Sequence, residues 1–456
     1  MDLTDNLNKS VFIKVLNNFL GFVQEKVSFL TKDSVFVKNL DISINIFAVL
    51  TFVASTFWDS EKLGIIMLGG FALLVLKYLI KPNAKIEIDS FDMWVIVYVL
   101  LFCLATAWSS WFTDSIHGLI KTFIYFFGYM TFKDIFKNKP QLRIYYIALV
   151  AVLSSIQGFI GIYQNLFHVD ALAGWQDYEN INPEQIMTRV FGTLKPLNPN
   201  LLAGYLIATM PTILGCAFYN FKKIKFNAAA GICLFTTLLT IVFTGCRGSY
   251  IAMTMQMAVF TAISGHIIWH DFEDKPYLKK IWSGAIIAGI LGALALILSQ
   301  ASIQKRIASI FEPRGDSSNS FRMNVYQASF KMFLGNFLTG IGVGNWAFRE
   351  VYGLYMRTAF DALGAYCVPL EIAVETGIFG LINFIGFITT SIISAVKKIT
   401  SNISYNEKII ISVTLISIIG MMFHGMVDTV WFRPQIQFVF WLMIAILSTS
   451  SNEVQE

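Results

Sequence analysis

Glu371 and Glu375 stand four residues apart in the apolar stretch AYCVPLEIAVETGIFG at 365–380. On a helix that spacing puts both carboxylates on one face. At a membrane edge an unpaired carboxylate is costly, so each needs a partner or a task. The task is general-base chemistry or a proton relay; the alternative is a structural pair with Arg357, Arg247 or Arg433. His424 and Asp428, again four apart, lie in FHGMVDTVWFRPQIQ at 423–437. They suit a hydrogen-bonded proton relay and equally suit packing around a satisfied imidazole.

Arginine is distributed unevenly. Of the nine arginines, Arg143 alone falls in a loop assigned below to the cytoplasm, while Arg189, Arg247, Arg306, Arg314, Arg322, Arg349, Arg357 and Arg433 fall on the other side. The planar guanidinium fork matches carboxylate, bicarbonate or phosphate in a bidentate way, so an outward anion site is expected, unless these side chains pair only with loop carboxylates or lipid head groups. Asn198 and Asn200, with two prolines in LKPLNPNLLAGYL at 194–206, mark the mouth of a span, where irregular backbone must line protein or water. Arg247 sits between two glycines in FTGCRGSY at 243–250, and Arg322 sits on an expected outer-loop helix followed by TGIGVGNW at 339–346.

The elements that position these residues are membrane helices. The chain has 456 residues, 55% hydrophobic and only 14% charged, with 41 Phe, 17 Tyr and 10 Trp. Such a composition excludes an ordinary soluble protein, a secreted product and a disordered chain. Apolar runs at about 43–58, 63–80, 91–107, 115–132, 143–167, 197–219, 226–244, 250–269, 281–299, 370–395, 409–427 and 434–448 give about twelve spans of roughly 20 residues. The first, third and last are short, so ten or eleven spans with a re-entrant segment is the alternative. The expected fold is therefore an all-α polytopic membrane protein, with spans one to nine over 43–299, a long outer loop over 300–365, spans ten to twelve over 366–448 and a tail over 449–456.

Residues 11–30 alternate apolar and polar positions at helical spacing, as an interfacial helix does, and Lys14, Glu25 and Lys26 argue against a cleaved leader. Residues 1–42 thus read as a cytoplasmic amphipathic segment. Lysines crowd this segment and alternate loops, whereas the intervening short loops hold only Lys62, Arg189, Lys195, Arg247 and Arg433. This bias places both termini in the cytoplasm of a bacterial inner membrane and loop 300–365 outside. Within that loop Ile303, Ile307, Ile310 and Phe311 form an amphipathic stripe ended by Pro313. A Ser/Asn cluster at 317–320 is expected to cap a helix from Phe321 to about Phe333.

Other chemistry is not signalled. The five cysteines have no CxxC spacing, so neither a metal site nor a disulfide framework is expected. There is no GxxxxGK[ST] loop, and TGIGVGNW follows no strand, so it reads as a tight outer turn rather than a nucleotide loop. No cofactor and no nucleic-acid partner is expected; the partners are membrane lipid and an anion.

In order and spacing, the five stretches at 194–206, 243–250, 321–346, 365–380 and 423–437 resemble the O-antigen ligase and polymerase superfamily, multi-span proteins that handle glycans on undecaprenyl-type diphosphate carriers. DTVWFRP with AYCVPLEIAVETG looks most like the cyanobacterial branch described as inorganic-carbon or bicarbonate transporters. The resemblance implies that Arg247 and Arg322 serve an anion or diphosphate site. It also implies a histidine base just after the long loop, where this chain reads Ala365, Tyr366 and Cys367. Two functions follow as expectations. The first is bicarbonate transport, for which no ATP motif and no evident pair of broken helices supplies coupling. The second is metal-independent glycosyl transfer from a lipid-diphosphate donor, which needs a replacement base such as Glu371 or Glu375. A non-enzymatic membrane partner of another transporter is a third class.

Overall fold

The computed structural model describes residue 8 and residues 10–31, 34–82, 84–169, 189–219, 224–311, 317–357 and 360–450. Pro313, Arg314, Lys9, Lys32 and the end of the tail at 451–456 lie outside the described residues. The described chain is helical throughout, with no strand among the described residues. An amphipathic α1 (Val11–Thr31) precedes α2 (Val35–Ser55), α3 (Ser60–Ile80), α4 (Ser90–Trp108), α5 (Phe112–Asn138) and α6 (Leu142–Leu166). After residues 189–198 come α7 (Pro199–Tyr219), α8 (Ile224–Phe243), α9 (Arg247–His270) and α10 (Pro276–Ser299). The outer loop holds α11 (Ala301–Ala308), α12 (Ser317–Gly335) and α13 (Asn345–Tyr352), and α14 (Val368–Thr400), α15 (Tyr405–Gly425) and α16 (Pro434–Ser448) complete the bundle.

Ten helices, α2–α4, α6–α10, α14 and α15, are long and apolar enough to cross a membrane. The two remaining expected spans are present as helices of a different kind. α5 is 27 residues long but carries Asp114, Lys121, Lys133, Asp134 and Lys137. α16 is apolar all round but only 15 residues long, and every residue from Gln435 to Leu447 is buried. Between helices in lipid, packing and hydrogen bonds hold the contact rather than escape from water. α5 and α16 interlock through Tyr125 against Phe438 and Tyr129 against Trp441, each with ring centroids 5.7 Å apart. α10 is the opposite case: none of its residues is buried.

Three boundaries depart from the hydropathy reading. α2 starts at Val35 rather than near 43, because Lys38 and Asp41 fall within the helix and Asp41 is neutralised by Lys77 at 2.9 Å and Lys81 at 2.6 Å. α12 starts at Ser317, so the Ser/Asn cluster forms its first turn instead of a cap. α15 ends at Gly425, which leaves Asp428 in the turn beyond it.

The two ends of the bundle differ. One end is laced by ion pairs: Lys77 with Asp134 at 2.5 Å, Lys133 with Asp89 and Asp92, Arg143 with Glu407, and Lys408 with Asp271 at 2.8 Å. α1 is sewn to this end, Gln24 Nε2 donating to the Tyr78 and Ala84 carbonyls at 2.8 and 2.9 Å. The chain's last described turn joins it, since Lys398 Nζ donates to the Leu447 and Ser450 carbonyls. The other end holds a cavity, lined there by Asp59, the 195–200 segment, Val343 and Gly344, and the turn from Asp428 to Arg433.

α14 is discontinuous, a feature the hydropathy pattern did not disclose. Gly377 interrupts it with φ 69° and ψ −168°, a region of backbone space that only glycine enters cheaply. A side chain there would also meet the Leu338 carbonyl oxygen at 2.5 Å. The break frees the carbonyls of Val374 and Glu375, which accept from Ile341 N at 3.0 Å and Gly342 N at 3.1 Å. Beyond the break, Ile378 N donates to the Phe337 carbonyl at 2.8 Å. The TGIGVGNW turn thus supplies the hydrogen bonds that the broken helix lacks, as irregular backbone inside a membrane protein requires.

Candidate functional site

The cavity, of about 950 Å³, lies between α5, the first half of α14, the 195–200 mouth of α7 and the turn leading into α16. Glu371 and Glu375 line it and are themselves only 2% exposed. Glu375 Oε1 accepts from Gly344 N at 2.8 Å, and Glu371 Oε2 accepts from Ala365 N at 2.8 Å. Neither forms an ion pair with Arg357, Arg247, Arg433 or any other described residue, so the structural pairing considered for them is not what holds them. Each carboxylate keeps its second oxygen free of hydrogen bonds to described residues.

The turn that presents Gly344 is pinned on both sides. Val343 N donates to Ser115 Oγ at 2.7 Å and Ser109 Oγ donates to the Ile341 carbonyl at 2.6 Å. Gly344 has φ 98°, and α5 passes so close that a Cβ on Gly118 would lie 2.4 Å from the Val343 carbonyl oxygen. Two glycines facing each other are what let the turn reach Glu375.

Asp428, Asn198, Asn200 and Arg433 also line the cavity. Asn198 caps α7, its Oδ1 accepting from Asn200 N at 2.7 Å. The Asn200 amide bridges two charges: its Nδ2 donates to Asp428 Oδ2 at 3.0 Å and its Oδ1 accepts from Arg189 at 2.5 Å. Asp428 meets Arg322 at 3.6 Å. Of the two readings of the His424 and Asp428 spacing, the relay is not formed: His424 is buried with Nε2 3.6 Å from Cys246 Sγ, and the helix that would align it with Asp428 ends at Gly425. Burial pushes the Cys246 thiol up, but the hydrogen bond and charge of His424 outweigh it and bring the thiol down to about 7.

Arg247, Arg322 and His424 are not among the residues that line the cavity. Arg247 is buried and donates to Ser309 Oγ at 3.1 Å and to the Ser309 carbonyl at 3.4 Å. Arg306 Nε donates to the Gly245 carbonyl at 2.8 Å. These two contacts, with Arg322 to Asp428, fasten the outer loop to the bundle.

Several lining residues carried no signal in the sequence. Lys121, Lys195, Tyr98, Tyr125 and Trp346 line the cavity, yet Lys195 reads only as one of the few basic residues of the short outer loops and nothing in the sequence singles out Lys121 or these aromatics. Tyr366, in the stretch where the resemblance implies a histidine, lines the cavity under the Arg322 guanidinium, 5.9 Å from its ring centroid. Burial and the charge of Asp428 hold the Tyr366 phenol above its ordinary value. Among the described residues no group of three or more His, Cys, Asp or Glu is placed to hold a metal.

No match to a curated protein was found for the chain. Residues 232–385 match the family model described as O-Antigen ligase. The matched segment contains Arg247, Arg322, Glu371 and Glu375, while Asn198, Asn200, His424, Asp428 and Arg433 lie outside it. Over that segment the chain is similar to the O-antigen ligases, which supports the O-antigen-ligase-like superfamily and lends nothing to the inorganic-carbon-transporter branch.

Proposed function

We infer that this multi-pass membrane protein transfers a glycan from a lipid-diphosphate donor to a hydroxyl acceptor in the cavity, without a metal. The observation that carries this reading is the placement of two buried glutamates, oriented by backbone N–H groups and lacking a cationic contact, on the wall of a cavity that also holds Lys121, Lys195 and Arg433. In the reaction, the acceptor hydroxyl gives its proton to a glutamate oxygen while its own oxygen bonds to the anomeric carbon. The bond from that carbon to the phosphate oxygen breaks, and the electron pair leaves with the diphosphate, which the cations stabilise. The glutamates take the place of the histidine that the resemblance implies. The donor supplies the driving force, so no ATP motif is required. The lysine-paired end, to which α1 and the last turn of α16 are joined, faces the cytoplasm by the charge bias of the loops, and the cavity opens outward.

The test is a deletion strain, assayed for surface glycan and for bicarbonate uptake in the same culture. Glycan should be lost and uptake unchanged. Loss of uptake with intact glycan would reject the reading. In cells carrying Ser318→Cys, an impermeant thiol reagent should label the protein; labelling only after lysis would reject the orientation.

A further inference from the structure

We propose that the donor's diphosphate is held by Lys121, Lys195 and Arg433 around the N-terminus of α16, and that Arg247 and Arg322 instead brace the outer loop. This deepens the glycan-transfer reading and rests on it for the identity of the donor.

Three observations converge on this wall of the cavity. First, all three cations line it, whereas Arg247 and Arg322 do not. Second, specific hydrogen bonds draw their carriers together. Tyr125 OH donates to the Phe432 carbonyl at 3.3 Å, which sets α5 against the residue before Arg433. Lys121 is one helical turn from Tyr125 and on the same face. Gln435 Nε2 donates to the Lys195 carbonyl at 2.8 Å, which sets the α7 mouth against the first turn of α16. Third, the Arg433 side chain is exposed to the cavity and makes no hydrogen bond or ion pair among the described residues. Its backbone caps α16, whose first residue is Pro434 and whose N-terminus has no side-chain cap. The positive end of the helix dipole therefore adds to the three side chains.

The other charges of the cavity set where an anion can go. Glu371, Glu375 and Asp428 line the cavity as well, Asp428 held at the α7 mouth by Asn200 at 3.0 Å and matched by Arg322 at 3.6 Å, and Lys62 is occupied by Asp59 at 3.5 Å. An anion is repelled from the glutamate wall and drawn to the α16 wall. A sugar attached to a diphosphate there shares the cavity with Glu375, as the transfer chemistry needs. Arg322, by contrast, is already matched with Asp428 at 3.6 Å and stacked over Tyr366, and Arg247 is directed at Ser309.

The test is binding of farnesyl diphosphate, with farnesyl monophosphate and inorganic pyrophosphate in parallel, to the full-length protein in neutral phosphatidylcholine nanodiscs. Wild type should bind the lipid diphosphate at least about tenfold more tightly than the monophosphate, and pyrophosphate should compete. Arg433→Ala and Lys121→Met should each weaken binding about tenfold, the usual effect of losing one charged hydrogen bond. Arg433→Lys should recover most of the loss, which separates a charge effect from misfolding. Arg247→Gln and Arg322→Gln, which remove the charge but keep a hydrogen-bond donor, should bind within about twofold of wild type. The proposal is overturned if Arg433→Ala and Lys121→Met bind like wild type, if the loss is confined to the Arg247 and Arg322 variants, or if monophosphate and diphosphate bind equally. Binding is read without turnover, so a wild type that binds but never transfers ends the enzymatic reading and leaves this site standing. Transfer that survives the two variants unchanged does the reverse.

Discussion

Glu371 and Glu375 line the cavity, and each engages one carboxylate oxygen with a backbone N–H and leaves the other without a hydrogen bond to described residues. A glutamine in either place still accepts that N–H, so the surrounding turn survives while the basic oxygen is lost. Glu375→Gln and Glu371→Gln should therefore lower transfer, about 100-fold for whichever residue takes the proton, with membrane insertion and thermal unfolding unchanged. Full activity in both variants would return the glutamates to a structural role. These two residues were legible in the sequence because a carboxylate in an apolar stretch demands an explanation. Lys121 and Lys195 were not, since what a lone lysine in a span or a short outer loop faces is set only by packing. Arg247 and Arg322 were legible as outward cations, but whether each points at a ligand or at Ser309 and Asp428 depends on contacts across 62 and 106 residues of chain.

At the scale of elements, hydropathy and charge found nearly every helix, and failed where a helix ends or breaks for local reasons. α15 stops at Gly425, so a four-residue spacing that looked like one helix face spans a helix and a turn. The interruption at Gly377 is invisible to hydropathy because the residues on both sides are apolar. It is visible only in the pairing of TGIGVGNW with the freed carbonyls. That pairing makes the turn between α12 and α13 part of the site. A methyl group on Gly118 would collide with the Val343 carbonyl oxygen at 2.4 Å and with Gly344 Cα at 2.8 Å. Gly118→Ala should push the turn off α5, withdraw Gly344 N from Glu375 and cut transfer, by about 100-fold for a shift near 1 Å. The overpacking should also destabilise the fold by about 1–3 kcal/mol. Unaltered activity and melting would mean that the turn does not position Glu375.

Across the whole molecule, the division of labour runs along the bundle axis. Lysines at one end close ion pairs with Asp41, Asp89, Asp92, Asp134 and Asp271, while at the opposite end Glu371 and Glu375 line a cavity without an ion pair to a described residue. The cost of burying unpaired carboxylates at the cavity end is tolerable in a bundle whose other end is so fully paired. The loop-charge bias made this polarity readable from the sequence, and the cavity between α5, α14 and α16 was not, because it joins residues from Asp59 to Trp441. The central claim is that the cavity performs glycosyl transfer from a lipid diphosphate with carboxylate rather than metal assistance. Its most direct test is the purified wild-type protein in lipid nanodiscs, given a labelled glycan on a polyisoprenyl diphosphate and a hydroxyl acceptor in the presence of a chelator. The account predicts a glycosylated acceptor and released polyisoprenyl diphosphate in equal amounts. A protein that binds the donor and forms neither product, or that forms them only when a divalent metal is restored, would contradict it.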